Sequence, residues 1–182
     1  MTSWVGRMVG AAKLKVSTYE EVEADSTATV QAMGVVLLSA AAAGIGEIGY
    51  GGRGVIIGCA AALIGWLVWA FLTWLIGTKF LDEPETNADI GQMMRTIGFA
   101  ASPGILRGFG WIPLLGTVIE IIAWFWMLVA MVVAVRQALD YKSTGRAFLV
   151  CAIGWFVNVM IFVSLGALLG IAVLSARNAG GT

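Results

Sequence analysis

The chain alternates between long apolar runs without charge and short polar seams. Residues 26–46, 54–78 and 147–176 hold no Asp, Glu, Lys or Arg, and residues 108–135 hold only Glu120. A bilayer core of about 30 Å needs roughly 20 apolar residues per crossing helix, and each run meets that length. The pattern predicts an all-α integral membrane helical bundle.

A fifth segment is less apolar. Thr86 and Asp89 read as an N-cap with an acidic first turn. Ile90, Met93, Met94 and Ile97 follow at helical spacing, while Asp89, Gln92 and Arg95 share the opposite side. The run then turns apolar up to Pro103-Gly104, where a helix bends or stops. As a helix, residues 90–108 would measure about 28 Å, just enough to cross, although a re-entrant or surface helix has the same pattern.

Charge bias arbitrates, because Lys and Arg favour the cytoplasmic side. Five spans with the N-terminus inside put eight basic residues in the cytoplasm (Arg7, Lys13, Lys15, Lys79, Arg95, Arg136, Lys142 and Arg146) and leave three outside (Arg53, Arg107 and Arg177). Four spans give seven against four. The expectation is five transmembrane helices at 27–47, 54–77, 90–108, 113–135 and 149–174, the third short and Pro-broken, with the C-terminus outside.

Ahead of the first span, Trp4, Val5, Met8, Val9 and Ala12 form one apolar arc with Arg7 and Lys13 off it. That suits an interfacial amphipathic helix on the inner leaflet, although Lys15 falls back into the arc. Ser17 and Glu20 have capping-box spacing, which predicts a second short helix. The division expected is a cytoplasmic N-terminal segment 1–26, a membrane domain 27–176 and a short tail 177–182. The first apolar run starts near Ala28, behind a charged segment, so it reads as a permanent anchor rather than a cleaved signal.

Composition narrows the chemistry. The 182 residues are 59% hydrophobic, with 11 basic and 11 acidic side chains and no histidine. Zero formal charge suggests no nucleic-acid partner. Without His the chain lacks the usual ligand for haem, chlorophyll or zinc, so no cofactor is expected. A lipid or pigment packed on Trp66, Trp69, Trp74, Trp124 or Trp126 is the remaining route, against the plainer reading of helix-facing or lipid-facing aromatics. Trp4, Trp111 and Trp155 sit near span ends as interface anchors. Cys59 and Cys151 fall in apolar runs and read as packing residues. No metal site, carboxylate dyad, Cys pair or nucleophile elbow is apparent, which argues against an enzyme.

Three stretches, AAKLKVSTYEEVEADSTATVQA (11–32), RTIGFAASPGILRGFGWIPLLG (95–116) and RQALDYKSTGRA (136–147), together resemble the bacterial branch of the Yip-domain family, Ypt/Rab-interacting multi-pass membrane proteins. GWLVWAFLTWLIGTK (65–79) extends the resemblance over most of the chain. The middle stretch is the most specific, a helix ending in a Gly-Phe-Ala…Pro turn before an Ile-Pro-x-x-Gly helix start. The resemblance implies five spans, a cytoplasmic N-terminus and a place in the cell inner membrane. Eukaryotic members act in vesicle trafficking, whereas the fold transfers more safely than the function.

Candidate site residues fall into three groups. Glu120 is a carboxylate inside a span, either functional or a hydrogen-bonded strut between helices, and Asn158 reads as interhelical glue. Gly98, Pro103, Gly104, Pro113 and Gly116 form a structural turn, with one proline ending a helix and the next starting one. Gly104/Gly108 and Gly166/Gly170 have GxxxG spacing. In the basic loop, Arg136, Gln137, Asp140, Tyr141, Lys142 and Arg146 are partner-binding candidates. There Asp140 is placed to pair with Arg136, Ser143 or Thr144 to cap the last span, and the whole loop either to meet the acidic stretch 20–25 or to present with it a mixed-charge surface to a larger complex.

Two function classes remain. The first is a non-catalytic scaffold or accessory subunit that binds other integral membrane proteins in a larger complex, or organises membrane lipids. The second is a small channel or transporter with Glu120, Asn158 and the Pro103 break lining a path, against which no inverted repeat is visible.

Overall fold

The structure is a computed structural model that describes residues 3–46 and 51–179. These form α1 (Trp4–Ala12), α2 (Val16–Ala24), α3 (Ala28–Gly46), α4 (Gly51–Lys79), α5 (Ile90–Ala100), a 3-10 helix (Ser102–Phe109), α6 (Gly116–Ala138) and α7 (Thr144–Ala179). Among the described residues, α3, α4, α6 and α7 contain stretches long and apolar enough to cross a membrane. The tail expected at 177–182 runs past the described residues, and the side chains of Arg53 and Arg177 and the surroundings of Gly170 lie outside them.

The fifth segment changes helix type rather than stopping at its proline. Asp89 caps α5 in a reciprocal capping box with Gln92. Pro103 has no N–H to offer the Phe99 carbonyl, and the Ser102 hydroxyl donates to that oxygen instead at 2.6 Å. The α-helix therefore ends at Ala100, before Pro103, and the chain continues as the 3-10 helix. Together the two pieces reach about 32 Å, at 1.5 and 2.0 Å per residue.

This broken rod occupies the middle of the bundle, against α2, α3, α4 and α6. It runs parallel to α3: Gly98 backs onto Ala32, Gly104 onto Ser39, Gly108 onto Ala42 and Gly110 onto Gly46. Gly104 also faces Met127 of α6. Small residues let backbones approach where lipid gives no hydrophobic drive between helices. Against α4 it runs antiparallel, with Trp66 Nε1 donating to Met94 O at 3.0 Å and Trp74 Nε1 to Ala88 O at 2.9 Å.

Other expectations are corrected. Pro113 does not start α6; it lies in a turn closed by Gly116 N–H on Ile112 O, with Leu114 left-handed at φ 68°. Ser17 sits inside α2, whose N-cap is Lys15 without a side-chain cap, so the expected capping box does not form. Arg7, expected on the solvated side of α1, is only 2% exposed. Its neighbours Gly10 and Ala11 are buried with it, and Val5 and Val9 point outward.

Candidate functional site: the polar end of the bundle

Both α4 and α6 finish at one end, where α2, the N-terminus of α5 and the loops 80–89 and 139–143 also gather. The basic loop opens with α6's C-terminus. Tyr141 N–H bonds Arg136 O and Asp140 N–H bonds Gln137 O, a Schellman closure with Asp140 left-handed at φ 53°. Arg136 does not pair with Asp140. Its guanidinium donates to Tyr141 O at 3.1 Å and Lys142 O at 3.3 Å, bracing the turn. Tyr141 is buried, and its hydroxyl donates to Gly77 O at 2.8 Å and Leu81 O at 2.6 Å. Burial, reinforced by nearby Glu83, pushes its phenol up to about 12.

The loop's cations meet the 80–86 segment, not the acidic stretch of α2. Lys142 Nζ lies 2.6 Å from Glu85 Oε1, which raises the ammonium's pKa and lowers the carboxyl's. Lys142 N–H bonds Glu83, and Arg146 donates to Asp82 O at 2.8 Å while standing 3.7 Å from Glu83. Gln137 reaches back to α2, at 3.4 Å from Glu20. Ser143 Oγ accepts from Arg146 N–H at the start of α7.

The acidic stretch is held instead by two arginines. Arg7 bridges Glu21 at 3.1 Å, Asp25 at 2.7 Å and the Gln31 amide at 3.0 Å. Burial works against its charge, but the bonds to Asp25 and Glu21 outweigh it and raise the guanidinium's pKa. Asp25 is lowered by Thr27 first and Arg7 next. Arg95 donates to Val22 O at 3.0 Å and Glu23 O at 2.5 Å, fastening α2 to α5. The Glu23 carboxylate takes the Gln92 amide at 3.2 Å. Burial, then Asp140, push it up to about 7, against the pull of Arg95, with Glu20 and Asp89 adding to the rise.

At the far end, Arg107 meets Glu120 at 2.6 Å. The pairing was traceable, since Arg107 directly precedes the apolar run that holds Glu120. Asn158 lies half-buried on α7, and no hydrogen bond joins it to Glu120 among the described residues. Gly116 abuts the Gly110 carbonyl, whereas Gly98 faces Ala32 and Gly104 faces Ser39 and Met127, so the glycines of the expected turn lie against different neighbours, and Pro113 is exposed. Sequence reasoning missed Arg7 and Arg95 as organisers, because a buried arginine looks like any cytoplasmic charge until its acceptors are placed.

Stacked apolar helices around a parallel central rod, closed by hydrogen bonds at one end, define a multi-span helical membrane protein. The family model of the Yip1 domain matches residues 16–174, and the chain belongs to that family. No curated protein and no solved structure matches the chain.

Proposed function

We propose that the chain is a non-catalytic accessory or scaffold protein of five spans, whose polar end docks other integral membrane proteins. The crossing number is supported by chain direction: α4 ends where Tyr141 bonds Gly77, and α6 begins beside Gly46 at the opposite end. Residues between them run from one end of the bundle to the other, which supports counting α5 and the 3-10 helix as a third crossing. The eight basic residues of segments 1–25, 79–95 and 136–146 then lie on one side, which positive-inside bias makes cytoplasmic. Likeness to the bacterial branch supports an inner-membrane location, with the C-terminus outside. The N-terminal helix, with Val5 and Val9 outward, would seat against the inner leaflet.

The observation that carries the docking role is preorganisation. Arg136, Lys142 and Arg146 are each held by a carbonyl or carboxylate of a neighbouring turn, while Lys142 and Glu85 stay well exposed. Exposed pairs contribute only about 0–1 kcal/mol to folding, whereas a fixed mixed-charge surface sets orientation and partner choice. Lys142→Glu with Glu85→Lys reverses the pattern while keeping the pair. Native purification of this variant should lose partners retained by the wild type; an unchanged partner set would sink the reading. In a cysteine-free background, Glu85→Cys and Asp140→Cys should label from the same side.

A further inference from the structure

The end opposite the polar surface carries a charged cleft in apolar surroundings. The 3-10 helix leads into FGWIPLL (109–115), where Phe109, Trp111, Leu114 and Leu115 are all more than half exposed. A turn with so much exposed apolar surface belongs against lipid, and a Trp there marks the bilayer boundary. Beside it opens a cleft of about 230 Å³ lined by Gly46, Gly110, Gly116, Thr117, Glu120 and Ile121. Three glycines give it thin backbone walls, and the Arg107–Glu120 pair stands at its edge. Both side chains are about one-third exposed, at 29% and 39%. Both guanidinium contacts fall on Glu120 Oε1, so neither uses Oε2.

An ion pair at a lipid boundary is partly desolvated, and what reaches it most readily is the lipid itself. We propose that this cleft seats the headgroup of a zwitterionic phospholipid with a primary ammonium. The ammonium donates to the Glu120 carboxylate and the phosphate accepts from the Arg107 guanidinium. A quaternary choline has no N–H for the carboxylate, and an anionic glycerol headgroup would satisfy Arg107 but bring no cation to Glu120. The proposal rests on the membrane-spanning reading given above.

Native mass spectrometry of the full chain from detergent, with equimolar phosphatidylethanolamine, its N-methylated series, phosphatidylcholine and phosphatidylglycerol of matched acyl chains, tests it. Retention should fall stepwise with methylation, by about tenfold from ethanolamine to choline, as for the loss of a charged hydrogen bond. Glu120→Gln should abolish that discrimination, and Arg107→Gln should weaken all headgroups while leaving the ethanolamine preference. Equal retention of ethanolamine and choline by the wild type, or tightest binding of phosphatidylglycerol, overturns the site. The methylation series needs no variant, so a poorly folding Glu120→Gln does not rescue it. Release of the chain from membranes by alkaline carbonate would overturn the membrane reading instead, a separate outcome.

Discussion

α4 and the α5/3-10 rod are neighbours with opposite fates. α4 is almost wholly apolar, yet only 11% of its spanning window is buried, and Ile56, Ile57, Ile64, Leu67 and Phe71 face outward. The rod carries Gln92, Arg95, Thr96 and Ser102, yet residues 95–100 and 102–104 are all buried. In water, hydrophobicity points to the core; in a bilayer, lipid solvates the greasy helix, and the centre goes to whatever packs and hydrogen-bonds best. Glycines make the same division: Gly98 and Gly104 press on neighbours, while added Cβ atoms at Gly58 and Gly65 would meet nothing within 4 Å.

The largest break in this contrast should come from the polar anchor of the packed half. Arg7→Leu leaves Glu21 and Asp25 without their shared cation, and Asp25 is only 15% exposed. Removing the arginine leaves the carboxylates it bridges uncompensated, so thermal unfolding in detergent should shift sharply. An equally hydrophobic change on the lipid-facing half, Cys59→Leu, should leave the transition nearly unmoved.

Gly98→Ala and Gly58→Ala should move stability in opposite directions. At Gly98 the new methyl would sit 2.7 Å from Ala32 Cβ and 3.2 Å from Ala32 O, and overpacking of that kind costs about 2 kcal/mol. At Gly58 nothing obstructs it, and helix propensity alone should add up to about 1 kcal/mol. Equal shifts in the two melting curves would show that the rod is not the tight centre.

This inversion sets what could be read from the chain. The helices in the apolar runs were legible because length and charge absence suffice. α5 does start at Ile90, although its cap is Asp89 paired with Gln92 and not Thr86 ahead of an acidic first turn, since the Thr86 hydroxyl accepts from Glu83 N–H instead. The rod's central place was not, since Gly98 and Gly104 look alike whether they touch a helix or lipid. The basic loop was assigned to the wrong acidic partner: Glu83 and Glu85 were as near in kind as Glu20 to Asp25, and charge alone cannot choose between them. Arg7 and Arg95 escaped notice because their acceptors, backbone carbonyls among them, exist only after folding.

Acidity sharpens the comparison, because among the described residues the packed half holds a carboxylate far from its ordinary range. Glu23 releases its proton near 7 in the fold, against an ordinary 4.5. A raised carboxyl stabilises the fold fully below about 4.5, and that contribution is lost as pH rises through 7. For a half-buried group, solvent screening reduces the effect to about 1 kcal/mol. The wild type should therefore lose stability relative to Glu23→Gln between pH 5 and pH 8, measured by paired melts. Parallel profiles for the two proteins would dismiss the shift.

The smallest effect separates two roles of Asp140. Its left-handed backbone at φ 53° closes α6, and its charge is the second largest cause of the Glu23 shift after burial. Asparagine tolerates that backbone nearly as well but carries no charge, while glycine removes both the strain and the charge. Asp140→Asn should therefore lower the pH at which Glu23 acts and leave stability at pH 5 almost unchanged. Asp140→Gly should lower that pH equally and add about 0.5 kcal/mol at every pH, because a C′ glycine has no Cβ to clash. If the two variants melt alike at pH 5, the turn is unstrained. If neither moves the Glu23 transition, the α6–α7 turn does not hold its carboxylate against α2, and the polar end is looser than the rod it closes.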